Sequence, residues 1–380
     1  MLPPQASNLR ARAAVLPART LPTVWNFTLP KRACAVLALL ALAGCADTAY
    51  YLQSARGHLA LMHAAKPIQD WLDDPATPAD LRGQLQLAQR MRRFAVDQLH
   101  LPDNASYHRY ADLHRSAAVW NAVAAPPYSL QLKTWCFPFT GCIGYRGYFD
   151  EAQAQALAAE LRAQGLESSV YGVPAYSTLG WMNWLGGDPV LSTFIRYPEG
   201  ELARMLFHEL AHQVVYVQDD TTFNESYASA VERLGGSEWL RLHASQAARD
   251  DYARFDGRRR ELRALMLATR QILTAVYADK DNAEPVAQRK ARAMDDFHAA
   301  YAQLKQQQWQ GFAGYDAYIA RANNAVFGVQ AAYDGRVPAF EALFAREGRD
   351  WARFHAAVAA LAKLPKPQRD AALDALVAQR

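Results

Sequence analysis

Apolar positions between residues 48 and 98 recur at spacings near three and four: Tyr51, Leu59, Leu61, Met62, Ile68 and Trp71, then Leu85, Leu87, Met91 and Phe94. That period is helical. Pro75, Thr77 and Pro78 divide the stretch into two halves, and Leu101-Pro102-Asp103-Asn104 stops the second. Residues 105–142 are rich in Tyr, Trp and Pro and predict irregular chain with short extended pieces. Residues 143–149 read as a strand, 151–164 as a helix stopped at Gly165, and 168–173 as a second strand. This strand–helix–strand unit is the expected source of a sheet.

Tyr176-Ser177-Thr178-Leu179-Gly180-Trp181 opens a Gly- and aromatic-rich loop that runs to Thr193. Pro198 then starts a helix, with Glu199 and Glu201 in the first turn where acidic groups suit the dipole. The apolar pattern carries this helix to about Val217. A polar link, 218–221, leads to a helix over 222–234, closed by Gly235-Gly236. Residues 237–278 are helical, with Leu262, Leu265, Met266, Thr269, Ile272, Leu273 and Val276 in one stripe. The chain turns at 279–285 and returns as helix over 286–308, an antiparallel hairpin. Residues 314–376 are helical again, broken at 335–338 and 365–367. The pattern predicts a predominantly helical α+β protein with a small sheet and a long helical hairpin.

Composition is that of an ordinary globular chain of 380 residues, which argues against disorder and against a multi-span membrane protein. The formal charge of +4 comes from the N-terminal segment: residues 1–45 hold Arg10, Arg12, Arg19, Lys31 and Arg32 and no acidic group. The remainder has 36 basic against 37 acidic residues. No basic block with interleaved aromatics survives there, so nucleic acid is not an expected partner. Residues 31–45, KRACAVLALLALAGC, read as a secretory signal: a charged edge, then an apolar run too short to span a bilayer. Leu42-Ala43-Gly44-Cys45 resembles a bacterial lipobox. The resemblance implies cleavage before Cys45 and a lipid on its sulfur, so that acyl chains hold the protein to a membrane. Ala46, rather than Asp, points to the outer membrane, facing the periplasm. A plain secretory signal with an incidental cysteine is the other reading. The division expected is 1–45 as extension and signal, and 46–380 as the functional domain. That domain comprises a helical and disulfide-loop part (46–142), a catalytic core (143–236), the hairpin (237–310) and C-terminal helices (311–380). Cys136 and Cys142 bracket Pro138 and Gly141, suiting a disulfide in an oxidising compartment better than a metal pair.

The residues with the clearest chemistry are His208-Glu209-Leu210-Ala211-His212. Helical positions four apart share a face, so the two imidazoles can bind one cation, with Zn2+ the expected ion. Glu209 sits beside them, where a carboxylate can take a proton from a water that the metal has acidified. A helix with two ordinary surface histidines is the plain alternative. A catalytic zinc needs a third protein ligand and an open position. The next helix offers Glu225 and Glu232, two turns apart on one face. Antiparallel packing brings Glu225 near His212 and Glu232 near His208, and geometry alone does not choose between them. Thr222 and Glu225 also fit a capping box, in which the carboxylate only satisfies a backbone N–H.

Phe223-Asn224-Glu225-Ser226-Tyr227-Ala228 after such a helix resembles the gluzincin arrangement of aminopeptidase N-like enzymes. The resemblance implies that Glu225 is the third ligand and that Glu232 and Asn224 support the ligands from behind. Only residues 213–224 separate His212 from Glu225, a shorter gap than in those enzymes, and their Gly-Ala-Met-Glu-Asn segment is absent. A wider resemblance rests on the lipobox, on Trp135–Cys142 with Tyr145-Arg146-Gly147-Tyr148-Phe149, on Pro174-Ala175-Tyr176-Ser177-Thr178-Leu179-Gly180-Trp181, and on 207–213 through Phe223-Asn224-Glu225. These resemble the predicted aminopeptidase family of proteobacterial lipoproteins, over about 45–344, with a longer loop at 182–187. The family implies a zincin-like zinc metallopeptidase acting on peptides in the cell envelope.

Tyr176, Ser177 and Thr178 are candidate substrate-binding residues along a sheet edge, or an aromatic turn packed on the core. Tyr333 is a candidate oxyanion donor, and Asn323 and Asn324 could close over the site. His108, His114, His243 and His298 lack ligand spacing. The rival class is an envelope lipoprotein with a binding or assembly role and a structural or vestigial zinc site. Oligomeric state is not legible.

Overall fold

The computed structural model describes residues 31–137, 141–178 and 183–378, without the side chains at 31–47, 185 and 331–334. Compactness divides the chain into Met1–Tyr51 and Leu52–Arg380. The order begins α1 (Lys31–Ala64), β1 (Lys66–Pro67), α2 (Ile68–Asp73), α3 (Ala79–Asp97), β2 (Arg109–Ala111), β3 (Val119–Ala125), β4 (Trp135–Phe137), β5 (Gly141–Ile143) and β6 (Arg146–Tyr148). It continues with α4 (Glu151–Ala163), β7 (Glu167–Val173), β8 (Val190–Leu191), α5 (Glu199–Ala211), α6 (Thr221–His243), α7 (Gln246–Ala278) and α8 (Val286–Gln307). The chain closes with α9 (Asp316–Ile319), α10 (Asn324–Asp334), α11 (Val337–Arg346), α12 (Trp351–Ala362) and α13 (Lys366–Ala378). The protein is thus predominantly helical, with small sheets. No helix among the described residues is long and apolar enough to cross a membrane.

The principal sheet has the order β6-β3-β7, antiparallel throughout. Its ends match the expected strands at 143–149 and 168–173, but they do not pair with each other. β3 lies between them, in a stretch whose sequence predicts irregular chain. Every residue from Trp120 to Ala125 is buried. Trp120 and Ala122 face Ala154 and Ala158 of α4. Val123 and Ala125 face Ala325 of α10. A strand covered on both faces loses the polar–apolar alternation that marks a half-exposed one. The predicted strand at 143–149 is also divided, with β5 pairing β4 and β6 pairing β3.

The main core joins Leu85 and Met91 of α3, Leu202, Leu206 and Phe207 of α5, and Phe223 and Tyr227 of α6 to Phe340 and Phe354. α5 and α6 run antiparallel at its centre, since Arg204 meets Glu232 and Gly236 while His212 meets Glu225. Gly235-Gly236 does not close the second helix at 234: α6 continues to His243. The glycines serve close approach instead. A Cβ on Gly235 would lie 2.6 Å from Leu99 Cδ1 and 3.2 Å from Phe207 Cδ2, and one on Gly236 2.9 Å from Arg204 Cγ. We expect Gly235→Val to cost about 1–3 kcal/mol by overpacking. Gly83→Ala, in α3 with nothing within 4 Å of the added carbon, should instead gain about 1 kcal/mol of helix propensity. Urea unfolding of the two variants tests this contrast.

α5 also departs from expectation, ending at Ala211 rather than near Val217. Val214 N–H bonds back three residues to Ala211 O at 2.9 Å, tightening the last turn. The apolar pattern continues past that end because Val215 is buried in the core as loop. α7 and α8 form the expected hairpin, with Leu262, Met266 and Leu273 packed against Phe297 and Tyr301. Ile272 is exposed and does not join that stripe.

Candidate metal centre

α5 and α6 present three donor side chains to one point. His208 Nε2 and His212 Nε2 are 3.1 Å apart. Glu225 Oε2 lies 3.3 Å from the first and 3.7 Å from the second. Donor atoms of His208, His212 and Glu225 all fall within 4.8 Å of one another. The helical spacing stacks the two imidazoles on the α5 face, while antiparallel α6 supplies the carboxylate from its first turns. Among the described residues no fourth His, Cys, Asp or Glu joins the group. Two imidazole nitrogens and one carboxylate oxygen, with a position left free, form the donor set of a catalytic zinc. The chemistry of the set therefore fits the expected ion.

The capping-box reading of Glu225 does not describe this structure. Asp220 is the N-cap of α6, its carboxylate accepting from Phe223 N–H at 3.2 Å. Glu225 is left to face the histidines. Burial alone would raise its pKa, but the His212 and His208 rings outweigh it and hold the carboxyl well below the usual range. Glu232 lies two turns further along α6 and meets the other side of the site: its Oε2 lies 3.0 Å from His208 Nδ1. Its other oxygen meets Arg204, which is itself 3.4 Å from Asp256 of α7. A carboxylate on the far ring nitrogen fixes the tautomer that leaves Nε2 as the donor atom. Glu232→Gln should therefore weaken zinc binding by about 10- to 100-fold without removing it, as competition with a chromogenic chelator would show.

Asn224 bonds the backbone of Val217 with both ends of its amide. Its Oδ1 accepts from Val217 N–H at 2.8 Å and its Nδ2 donates to Val217 O at 2.7 Å, bracing the link between the helices. The same link is held from outside. Cys136 and Cys142, cross-strand partners in the β4–β5 hairpin, form a disulfide. Cys142 N–H donates to Asp219 Oδ1 at 2.6 Å. The hairpin thus touches the segment whose length sets where Glu225 meets His212.

Glu209 lies between the two histidines in sequence and is enclosed with them. Burial pushes its carboxyl up, and the His208 and His212 rings act in the opposite direction. Sequence reasoning missed a group of phenols around this centre. Tyr145 is driven well up by burial, next by Glu225, and also by Glu209. Tyr171 of β7 is pushed to about 12, chiefly by burial, with Glu225 adding to it. Tyr216 is raised by burial and then by Glu225. The signal available was Tyr145 within Tyr145-Arg146-Gly147-Tyr148-Phe149, and Tyr216 four positions after His212.

The other candidates have structural partners of their own. Tyr176 packs on the main core beside the rings of His58 and Phe149, at centroid distances of 5.8 and 5.1 Å. Ser177 and Thr178 donate to the buried Asp188. The three residues lie on irregular chain, not on a strand edge. Asn323 caps α10 and donates to Ser168 O, and Asn324 Nδ2 donates to Pro126 O and Pro127 O, so both anchor α10 to the sheet rather than cover the site. Tyr333 lies on α10, with its side chain outside the described residues, as is that of Cys45.

Compared with known proteins, the chain matches a family model described as "Putative aminopeptidase" over residues 49–373. No curated protein matches it, and no solved structure does.

Proposed function

The chain belongs to the putative aminopeptidase family, and on that premise we propose that it is a zinc-dependent peptidase of zincin type, acting on peptides in the bacterial envelope. The observation that carries the reading is the convergence of His208, His212 and Glu225 donor atoms within 4.8 Å, with Glu209 on the same helix. Zinc bound there supplies Lewis acidity, polarising the scissile carbonyl and lowering the pKa of water. Glu209 takes a proton from the attacking water as its oxygen bonds to the carbonyl carbon. It then delivers that proton to the nitrogen as the C–N bond breaks. Glu232, braced by Arg204, keeps His208 turned toward the centre. Tyr145, whose phenol feels both Glu225 and Glu209, is the candidate donor to the developing oxyanion.

Leu42-Ala43-Gly44-Cys45 supports attachment through a lipidated Cys45, on the periplasmic side of the outer membrane. The test of the function is cleavage of a mixed peptide library by residues 46–380. Cleavage that stops on chelation and returns with added zinc supports the reading, and cleavage indifferent to chelation contradicts it.

A further inference from the structure

Asp220 divides its carboxylate between two tasks at the start of α6. Its Oδ1 caps the helix, accepting from Phe223 N–H at 3.2 Å. Its Oδ2 accepts from Arg369 of α13, at 2.6 Å from Nη2 and 3.1 Å from Nε. Both side chains are 4% exposed. Lys366, one turn earlier on α13 and largely exposed, adds a longer contact to the same oxygen at 3.3 Å. The guanidinium is held in its turn: Nη1 donates to Leu364 O at 2.8 Å, and its carbon lies 5.2 Å from the centre of the Phe223 ring. Phe223 is buried in the main core. Arg369, Asp220 and Phe223 thus close a triangle around the first turn of α6, and Glu225 follows two residues later.

A buried ion pair is weak evidence for stability, because desolvating two charges offsets their attraction and an apolar pair of similar volume often folds as well. What this pair fixes is position. The link 212–220 ends at Asp220, and from there α6 returns Glu225 to the two histidines of α5. Each residue of an α-helix advances it by about 1.5 Å, whereas a metal–ligand distance tolerates about 0.2 Å. A slip of α6 by one residue against α5 therefore takes the Glu225 oxygen away from an ion held by both imidazoles. Arg204 on Glu232 fastens the later turns of α6 to α5. At the near end Asp219 stands at a φ of 63°, a conformation that a non-glycine residue keeps only where its surroundings hold it. Asp220, the next residue, is where α13 takes hold.

We propose that Arg369 is a positioning residue for the metal centre: through Asp220 it sets where α6 begins, and so where Glu225 meets His208 and His212. This rests on the reading of those three residues as zinc ligands. It gives α13, which contributes no donor to the centre among the described residues, a part in metal binding. The pair then serves the centre more than it serves stability, and the two effects are separable.

The experiment measures zinc affinity, by competition with a chromogenic chelator, and stability of the metal-free protein, by urea unfolding. The variants are Asp220→Asn, Arg369→Met and the two combined. Asn caps a helix about as well as Asp, so the first removes the charge and keeps the cap. Each single variant leaves a buried charge without its main partner and should unfold at lower urea, whereas the double variant leaves neither and should unfold near wild type. The double variant should nevertheless bind zinc about 10-fold more weakly, the lower end of the losses caused by removing groups behind the ligands. Leu373→Ala, which empties a buried site elsewhere on α13, should do the reverse, lowering stability and leaving zinc affinity unchanged. Wild-type affinity in the double variant, or equal weakening by Leu373→Ala, would show that the pair only fastens α13 to the body and would overturn the proposal. If the double variant does not fold, Asp220→Asn carries the same comparison with Leu373→Ala. Those outcomes leave the zinc reading standing, whereas a wild type that binds no zinc overturns both.

Discussion

Glu209→Gln is expected to lower peptide hydrolysis by about 10^2- to 10^4-fold, the range of a lost general base, with zinc still bound. The substitution keeps size and shape, so α5 and the positions of His208 and His212 are preserved. What goes is the basic oxygen. The wild-type carboxyl is pushed up by burial, the direction that turns a weak base into one able to hold a proton through the reaction. An amide cannot hold that proton at all. Turnover of any cleaved peptide under substrate saturation, alongside zinc content by elemental analysis, measures both halves. Loss of activity together with zinc would mean that Glu209 supports the centre rather than the proton transfer.

Glu225→Ala is expected to reduce zinc affinity by more than about 100-fold, beyond the range of losses from supporting groups, and to abolish hydrolysis with it. Its Oε2 stands 3.3 Å from His208 Nε2 and 3.7 Å from His212 Nε2, whereas Glu232 reaches only the Nδ1 side of His208. The comparison with Glu232→Gln is therefore decisive. If Glu232 were the third ligand, its variant would be the metal-free one and Glu225→Ala would retain zinc. Equilibrium dialysis against buffered zinc distinguishes the two, and circular dichroism checks that α5 and α6 remain folded.

The sequence revealed this centre because its information is local. His208 and His212 are one helical turn apart, so the pairing of their rings follows from α-helix geometry alone. Glu225 needed one more step, the return of a second helix, and the short link 212–220 made that return tight. The failures have equally physical causes. β3 is covered on both faces, so its alternation vanishes. Gly235-Gly236 has the composition of a helix stop, but the pair admits Leu99, Phe207 and Arg204 side chains that meet it only in the folded chain. α5 ends early because its last turn tightens, while the apolar residues that follow are buried as loop. Tyr145 and Tyr171 come from separate elements with no motif linking them to the helices, so only tertiary structure brings their phenols under the influence of Glu225.

The most direct measurement is a paired one on residues 46–380: zinc per chain, and cleavage of a mixed peptide library, for wild type and Glu209→Gln. The account predicts one zinc ion in each protein and cleavage by wild type alone. Metal-free protein, or equal cleavage by the two, would contradict it and leave a lipoprotein whose work is binding or assembly.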